Sequence, residues 1–490
     1  MSLYLWIILG YLLVLTSLNF IRARRVKSQE DFMVAGRRLK TSVMVFTLIC
    51  TWIGSGTFIA GAEFASKAGF SALWLAAGAW VGIVLIYFLT GKIQTFGQYT
   101  IGDILEERFG PVARIFGAFA LIISFTVIVS YQFVAGGFIL NVATDGAIPD
   151  SVGTIIAASF VILFTALGGM VAVAYTDLPN GIIILLACLL AVPFVYIAVG
   201  GLPEATQQLD SGYFAVINQQ FGANPVLKVG GYFLATMLLL MGVQSMYQKF
   251  YSARSPKDAR RAVILWTVGT VFVETVVVVI AVFAYSKFKG QIDLSIPKEG
   301  GKVVLMAARS LVPAPVGVLL LGAACAVVIS TGMNYLLSPS TNIMRDVYQR
   351  FIKKDASQRT MVALQKVFVV ILGVLAFFLA MSMKSVLAQA YFAYTIYGVA
   401  ITPALIAALA WKRATKAGGL ASIISGTVVC VLLKIMAEVL PPDKAPDGDP
   451  WGIPLIYPAL VVSLLALIVV SLLTKKQKQT ELEKFFPSKK

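Results

Sequence analysis

Cys50-Thr51-Trp52-Ile53-Gly54-Ser55-Gly56-Thr57-Phe58 stands in the middle of an apolar stretch, 41 to 66, that is long enough to cross a bilayer. Each glycine costs a helix about 1 kcal/mol relative to alanine, so two glycines flanking a serine allow the backbone to unwind at the centre of the span. Irregular backbone at bilayer depth is tolerated only where protein or a cavity covers it. Carbonyls freed there are hard oxygen ligands for a cation. Close approach of a neighbouring helix over Gly54, Ser55 and Gly56 is the other reading, and on this stretch alone both stand.

Working outward, the surrounding chain establishes the solvent. Over 490 residues it is 59% hydrophobic and 13% charged, with mean hydropathy +0.86. No water-soluble core accounts for that composition, whereas helices that keep roughly 20 apolar residues in hydrocarbon do. Thirteen such stretches are readable: 3–21, 41–66, 69–91, 114–141, 152–172, 177–200, 227–248, 262–286, 313–337, 362–382, 386–410, 417–440 and 453–473. The chain is thus expected to be an all-α polytopic membrane protein with about 13 transmembrane helices.

Most of the 40 Lys and Arg residues fall in alternate gaps: the loop from Arg22 through Arg24, Arg25 and Lys27 to Lys40, then Lys92, Arg108 and Arg114, Lys249 to Arg261, Arg345 to Lys366, Lys412 to Lys416, and the tail from Lys475. By the positive-inside rule these gaps are cytoplasmic, which places the N-terminus outside and the C-terminus inside. The net charge of +17 is then a topology signal, with anionic membrane lipids as the expected contact and nucleic acid excluded for want of a basic, aromatic-bearing soluble module. The first stretch lacks a basic leader and is followed by Arg22-Ala23-Arg24-Arg25, which suits a retained helix in a cell (inner) membrane.

Several chemistries are excluded. The four cysteines all fall within spans and suggest no disulfide framework, and the absence of histidine removes a His-ligated metal or a His proton relay. There is no phosphate-binding Gly-rich loop and no cytoplasmic gap long enough for a nucleotide-hydrolysing domain. The expectation is a carrier rather than an enzyme, driven by an ion gradient.

Polar residues inside spans point to the pathway. The ninth stretch carries Ser330, Thr331 and Asn334, then Ser338, Ser340, Thr341 and Asn342, with Ser330/Asn334 and Ser338/Asn342 each sharing a helix face. Singly, such hydroxyls usually bond back to their own helix; clustered, they suit an alkali cation. The seventh stretch, five after the broken second, is also rich in small and polar residues, among them Gly230, Gly231, Thr236, Gly242, Gln244 and Gln248. Matching interrupted helices are what an inverted-repeat transporter places around its midplane site. That reading divides the chain into 1–40, a five-plus-five core at 41–411 (repeats about 41–200 and 227–411), two further helices at 412–474 and a basic tail at 475–490.

Three runs then resemble the sodium:solute symporter family. Leu167-Gly168-Gly169-Met170-Val171-Ala172-Val173-Ala174-Tyr175-Thr176-Asp177 is similar to its Gly-Gly-x-x-Ala-Val-x-x-Thr-Asp signature, and Gln248-Lys249-Phe250-Tyr251-Ser252-Ala253-Arg254-Ser255-Pro256-Lys257-Asp258-Ala259 to its Gln-Arg-x-x-Ala-Ala-Lys-Ser-x-Lys-Glu-Ala loop. Ser338-Pro339-Ser340-Thr341-Asn342-Ile343-Met344-Arg345-Asp346-Val347-Tyr348 follows in register. The resemblance implies a LeuT-like fold and import of a small organic solute with sodium. Carried over, the sodium ligands are the carbonyls of Cys50, Ile53 and Val327 and the hydroxyls of Ser330 and Thr331, with Asp177 on the ion exit. Met333 and Asn334 stand where some members carry further hydroxyls, so one sodium per cycle is expected. Trp52 and Thr57 stand where the sugar branch has polar solute ligands, and the acidic residue of the proline branch near Thr51 or Trp52 is missing, so the solute class stays open.

Solute-pocket candidates are Trp52, Ser55 and Thr57, Trp74 and Trp80, Gln244, and Tyr394 of the Tyr391, Tyr394, Tyr397 stripe. Glu274 joins them because it sits among aliphatics at membrane depth, where an unpaired carboxylate costs several kcal/mol. Asp177 is alternatively a helix N-cap. A proton-coupled or uncoupled carrier on the same fold is the alternative function, and a membrane sensor a more distant one; the oligomeric state is left open.

Overall fold

The computed structural model describes residues 3–23, 33–96 and 100–486, and these are helical apart from turns, loops and one isolated bridge between Leu39 and Ala253. Arg24, Arg25 and Lys27, which the charge argument used, lie outside the described residues, as do the last two lysines of the tail. The first helices are α1 (Leu3–Ala23), α2 (Thr41–Trp52), α3 (Gly61–Ala68), α4 (Leu73–Phe96), α5 (Ile101–Phe109) and α6 (Pro111–Ala143). Next come α7 (Asp150–Gly169), α8 (Thr176–Val199), α9 (Gly201–Gln208), α10 (Pro225–Gly242), α11 (Gln244–Ser252) and α12 (Pro256–Phe288). They are followed by α13 (Val303–Ser310), α14 (Ala314–Asn342), α15 (Gln358–Met381), α16 (Val386–Ala400), α17 (Thr402–Ala410), α18 (Lys416–Val439) and α19 (Ile456–Leu473).

Among the described residues, eleven helical segments are long and apolar enough to cross a membrane, and Tyr4–Val14 and Thr41–Trp52 are shorter apolar stretches. For the second stretch the difference has a local cause. The break after Trp52 cuts the second stretch short, and the winding from Gly56 to Gln94 continues through the turn at Gly69. Gly69 has φ +65, and a Cβ there would collide with the Tyr213 backbone, so only glycine fits. Large apolar side chains such as Leu163, Ile197, Phe378 and Leu473 point outward, as lipid-facing residues do.

Two packed sets frame the interior. In one, α4 packs on α10 and α12, and α12 on α2; in the other, α14 packs on α6 and on the α7–α8 pair, and α15 on α6. The sets meet where α14 touches α2. Local sequence fixes the ends: Pro111, Pro225 and Pro256 open α6, α10 and α12 at positions where no helical N–H is needed. Thr100 and Asp103 form a reciprocal capping box at the start of α5.

At the end of the bundle that carries α5, Arg114 is 5% exposed and not in a loop. Its guanidinium holds Asp103 at 2.6 Å, Glu106 at 2.5 Å and Asp346 of the segment after α14 at 2.5 Å. Arg108 and Lys249, which the charge count also assigned to loops, are likewise buried: Arg108 donates to the Ala414 carbonyl at 2.8 Å. A buried cation serving three carboxylates is a clamp, and removing one partner of such a pair costs about 3 to 5 kcal/mol. Burial pushes the Glu106 carboxyl up, but hydrogen bonds and charge from Arg114 and Arg350 outweigh it and hold it below the usual carboxylate range.

Arg114→Gln is therefore expected to lower stability by about 3 kcal/mol, read as a fall in the melting midpoint in detergent with helical content retained; an unchanged midpoint would show the clamp to be energetically neutral. Because the folded Glu106 pKa is depressed, its contribution is complete above the unfolded value near 4.3 and is lost as pH falls through the lower folded value, so the wild-type midpoint should drop on acidification below about pH 4 more than that of Glu106→Gln.

Candidate functional site

The polar interior is organised by the break after α2. Ile53 leaves helical geometry at φ −69, ψ 106, and the amides of Thr57 and Phe58 both turn to the Gly54 carbonyl at 3.0 Å. The Ile53 carbonyl is thereby released from the amide of Thr57, four residues on. The chain re-enters a helix only from Gly56, first as a wide π turn and then as α3. The glycines explain where this happens: a Cβ on Gly54 would lie 2.7 Å from Thr331 Oγ1, and one on Gly56 would collide with the Tyr394 hydroxyl. Unwinding and close approach, two readings of the same residues, occur together.

Ser330 and Thr331 of α14 face the gap. Thr331 Oγ1 donates to the Cys50 carbonyl at 2.9 Å and to the Ile53 carbonyl at 3.1 Å, and Ser330 Oγ approaches the Cys50 carbonyl at 3.3 Å. Val327 is buried one turn earlier on the same helix. Asp177, at the start of α8, accepts hydrogen bonds from the hydroxyls of Ser330 and Thr47, and Cys50 Sγ donates to its backbone carbonyl at 3.3 Å. Gly169, at φ 57, is what turns the chain between α7 and α8 and brings Asp177 here. The result is a cluster of carbonyl and hydroxyl oxygens with one carboxylate, wholly buried. Hard oxygens of this kind suit an alkali or alkaline-earth cation.

A second feature adjoins it through Trp52, which lies between the two carbonyl-bearing residues. Its indole N–H donates to Glu274 Oε1 at 2.8 Å, and Trp80 donates to Glu274 Oε2 at 2.7 Å. Glu274 forms part of the wall of a narrow cavity of about 20 Å³, together with Trp52, Thr57, Thr236, Leu75 and Tyr394. That is room for about one water molecule, so in this state the walls are closed around the carboxyl. The rings of Trp52 and Tyr394 lie 5.9 Å apart, and Tyr131 donates to the Tyr394 hydroxyl at 3.3 Å. Among the described residues Glu274 has no ion pair.

Of the sequence candidates, the structure brings Trp52, Thr57, Glu274 and Tyr394 to one cavity, with Trp80 behind the carboxylate. Ser55 turns away, its amide donating to Gln132 Oε1 at 3.1 Å and its hydroxyl to the Tyr131 carbonyl at 3.3 Å. Trp74 donates to the Val216 carbonyl at 3.0 Å in a connecting loop. Gln244 is a bolt between helices: it bonds Asn342, donates to the Ser338 carbonyl at 3.3 Å and accepts from the Ile101 amide at 3.1 Å. These three do not line the cavity. Sequence reading missed Thr47, Gln132 and Lys249, and none carried a signal: Lys249 stands just past the seventh stretch, beside a run of basic residues.

Helices interrupted at Trp52/Gly56 and again at Val243, with cation-type oxygens at the first break and a narrow aromatic- and carboxyl-lined cavity beside it, fit an ion-gradient-driven solute carrier. The sodium:solute symporter family matches residues 32–426, and the chain belongs to that family. It is 26% identical over 495 residues to the osmoregulated proline transporter OpuE of Bacillus subtilis, covering 97% of this chain and 96% of that one. It is 26% identical over 493 residues to the sodium/proline symporter of Escherichia coli, covering 95% and 92%. Among solved structures, a Na+-coupled sialic acid symporter in a substrate-bound outward-open state superposes with TM-score 0.76 at 16% identity, over 97% of this chain and 99% of that one. The nucleobase-cation-symport-1 transporter MHP1 superposes with TM-score 0.58 at 12% identity, over 93% and 97%. The fold is LeuT-like, and the protein is a multi-pass membrane transporter, not an enzyme, that couples solute import to sodium.

Since a methyl group on Gly54 must displace Thr331 from both carbonyls, Gly54→Ala is expected to reduce sodium-driven uptake by about ten-fold or more at normal membrane expression. Wild-type uptake in that variant would mean that the contact between α2 and α14 is not part of the working site.

Proposed function

We propose that one sodium ion binds between the carbonyls of Cys50, Ile53 and Val327 and the hydroxyls of Ser330 and Thr331, and drives import of a small, proline-like solute held in the cavity at Glu274. The observation that carries this reading is the placement of Trp52. Its neighbours supply the ion's carbonyls while its own indole bonds the carboxylate in the solute cavity. An ion that orders Cys50 to Ile53 therefore also sets the wall against which the solute rests. This is a coupling free energy between two sites, with no covalent step. The proline transporters among the relatives support an amine-bearing solute, and Glu274 brings to that cavity a carboxyl group with no ion pair among the described residues. Asp177, bonded to Ser330, lies beside the ion position on the α8 side and serves as its next station on the way to the cytoplasm. The same reading places thirteen spans in the cell membrane with the N-terminus outside, the two repeats at about 41–200 and 227–411, and the basic tail inside.

The deciding experiment needs no solute. A ligand bound only by the folded state stabilises it by RT ln(1 + [L]/Kd), about 2.7 kcal/mol at a hundred times Kd. Sodium chloride, exchanged against potassium chloride at constant ionic strength, is expected to raise the melting midpoint of the native chain and not that of Ser330→Ala/Thr331→Ala. Equal responses to both salts would sink the sodium position and turn attention to proton coupling. In sodium, L-proline should add a further shift that Glu274→Gln reduces about ten-fold in affinity while its sodium response stays intact; a neutral sugar shifting the midpoint where no amine does would rule out the role of Glu274.

A further inference from the structure

Behind the proposed ion position lies a charge that the coupling scheme has not used. Lys249, on α11, is fully buried, although Arg254 and Lys257 a turn or two further on reach solvent. A lysine inside a membrane protein ordinarily stretches its four-carbon stem to the interface. Here the ammonium instead donates to Asn334 Oδ1 on α14. Asn334 sits one turn after Ser330, and its Nδ2 donates to the Ser330 carbonyl at 2.9 Å. The neighbouring contacts hold α11 in this register: Ser338 Oγ donates to Gln248 Oε1 at 2.6 Å, and Gln244 bonds Asn342. Lys249 and Asp177 act on each other electrostatically, and Asp177 also accepts from Ser330. A desolvated ammonium is costly to keep at such a place unless its charge is used.

We infer that the Lys249 ammonium is a resident cation of the transport site, sharing Asp177 with the transported sodium and weakening sodium's hold by repulsion. This rests on the sodium position proposed above. Two like charges several ångströms apart in a protein interior repel strongly enough to change an affinity on the order of ten-fold or more. The device has a use in a carrier: an ion bound too tightly at Ser330 and Thr331 would not leave toward Asp177, and a fixed positive charge beside that carboxylate prevents the trap. Lys249 is thus a positioning residue for the ion step, touching neither the cavity at Glu274 nor the solute.

Sodium titrations of the melting midpoint, with potassium keeping ionic strength constant, separate the possibilities. In the native chain they first establish the sodium response; its absence overturns the sodium position itself and with it this inference. Given that response, Lys249→Gln is expected to bind sodium at least ten-fold more tightly and to release it more slowly in efflux, while Lys249→Arg stays near the native value. A Lys249→Gln chain with native sodium affinity overturns the inference, because a purely structural lysine would lower the midpoint without moving the sodium dependence. Should Lys249→Gln not fold, for want of a partner to Asp177, the neutral pair decides. Asp177→Asn should lose sodium affinity about ten-fold or more, and Asp177→Asn/Lys249→Gln should regain most of it; equal affinities in those two chains overturn the proposal.

Discussion

The hydrogen bonds from Thr331 Oγ1 to the carbonyls of Cys50 and Ile53 are the join on which the molecule depends. They link a helix that has given up its own backbone pairing to one that has not. In hydrocarbon each unsatisfied carbonyl costs several kcal/mol, so α2 can stop at Trp52 only because α14 brings a hydroxyl to the exposed groups. The packing of α14 on α6 and the α7–α8 pair keeps that hydroxyl in place. Remove the join and the unwound residues have no reason to stay unwound; the cavity wall formed by Trp52 goes with them.

The same economy governs the rest of the buried polar interior. Asp177 is satisfied by Ser330 and Thr47 from two other helices, Glu274 by two indoles, and Gln244 by Asn342, the Ser338 carbonyl and the Ile101 amide. None of these groups is paired within its own helix. Each contact therefore reports on the relative placement of helices, and a change of placement exchanges one set of partners for another. A protein whose interior polar groups were paired locally would gain stability and lose the means to register an ion.

How far the sequence reveals this differs from residue to residue. The break at Ile53 is readable because glycine's helix cost is a property of the residue, and the hydroxyl pair on α14 is readable because four-residue spacing puts polar groups on one face. The oddity of Glu274 is visible as well, since a carboxylate among valines is out of place in any fold. Its partners are not: Trp52 and Trp80 lie 222 and 194 residues away in the chain, and only the packing of α12 against α2 and α4 brings them together. Gln244 and Trp74 have the right chemistry for a pocket and the wrong location, because a polar residue near a break serves equally well as a fastener. Lys249 was counted with the loop charges because it stands beside a run of basic residues; composition cannot tell a snorkelling lysine from a captive one.

The fastener at Gln244 bears on thrift. It ties α11, which continues the solute-side helix α10, to Asn342 and Ser338 on the scaffold helix and to the first amide of α5. A carrier that swung open at that end with sodium bound and no solute would let the ion gradient run down to no purpose. Several amide-type bonds at one residue, all of which must part together, make such idle swings rare without any contact to the cargo. A seam of this kind resists parting by contacts that lie outside both binding sites.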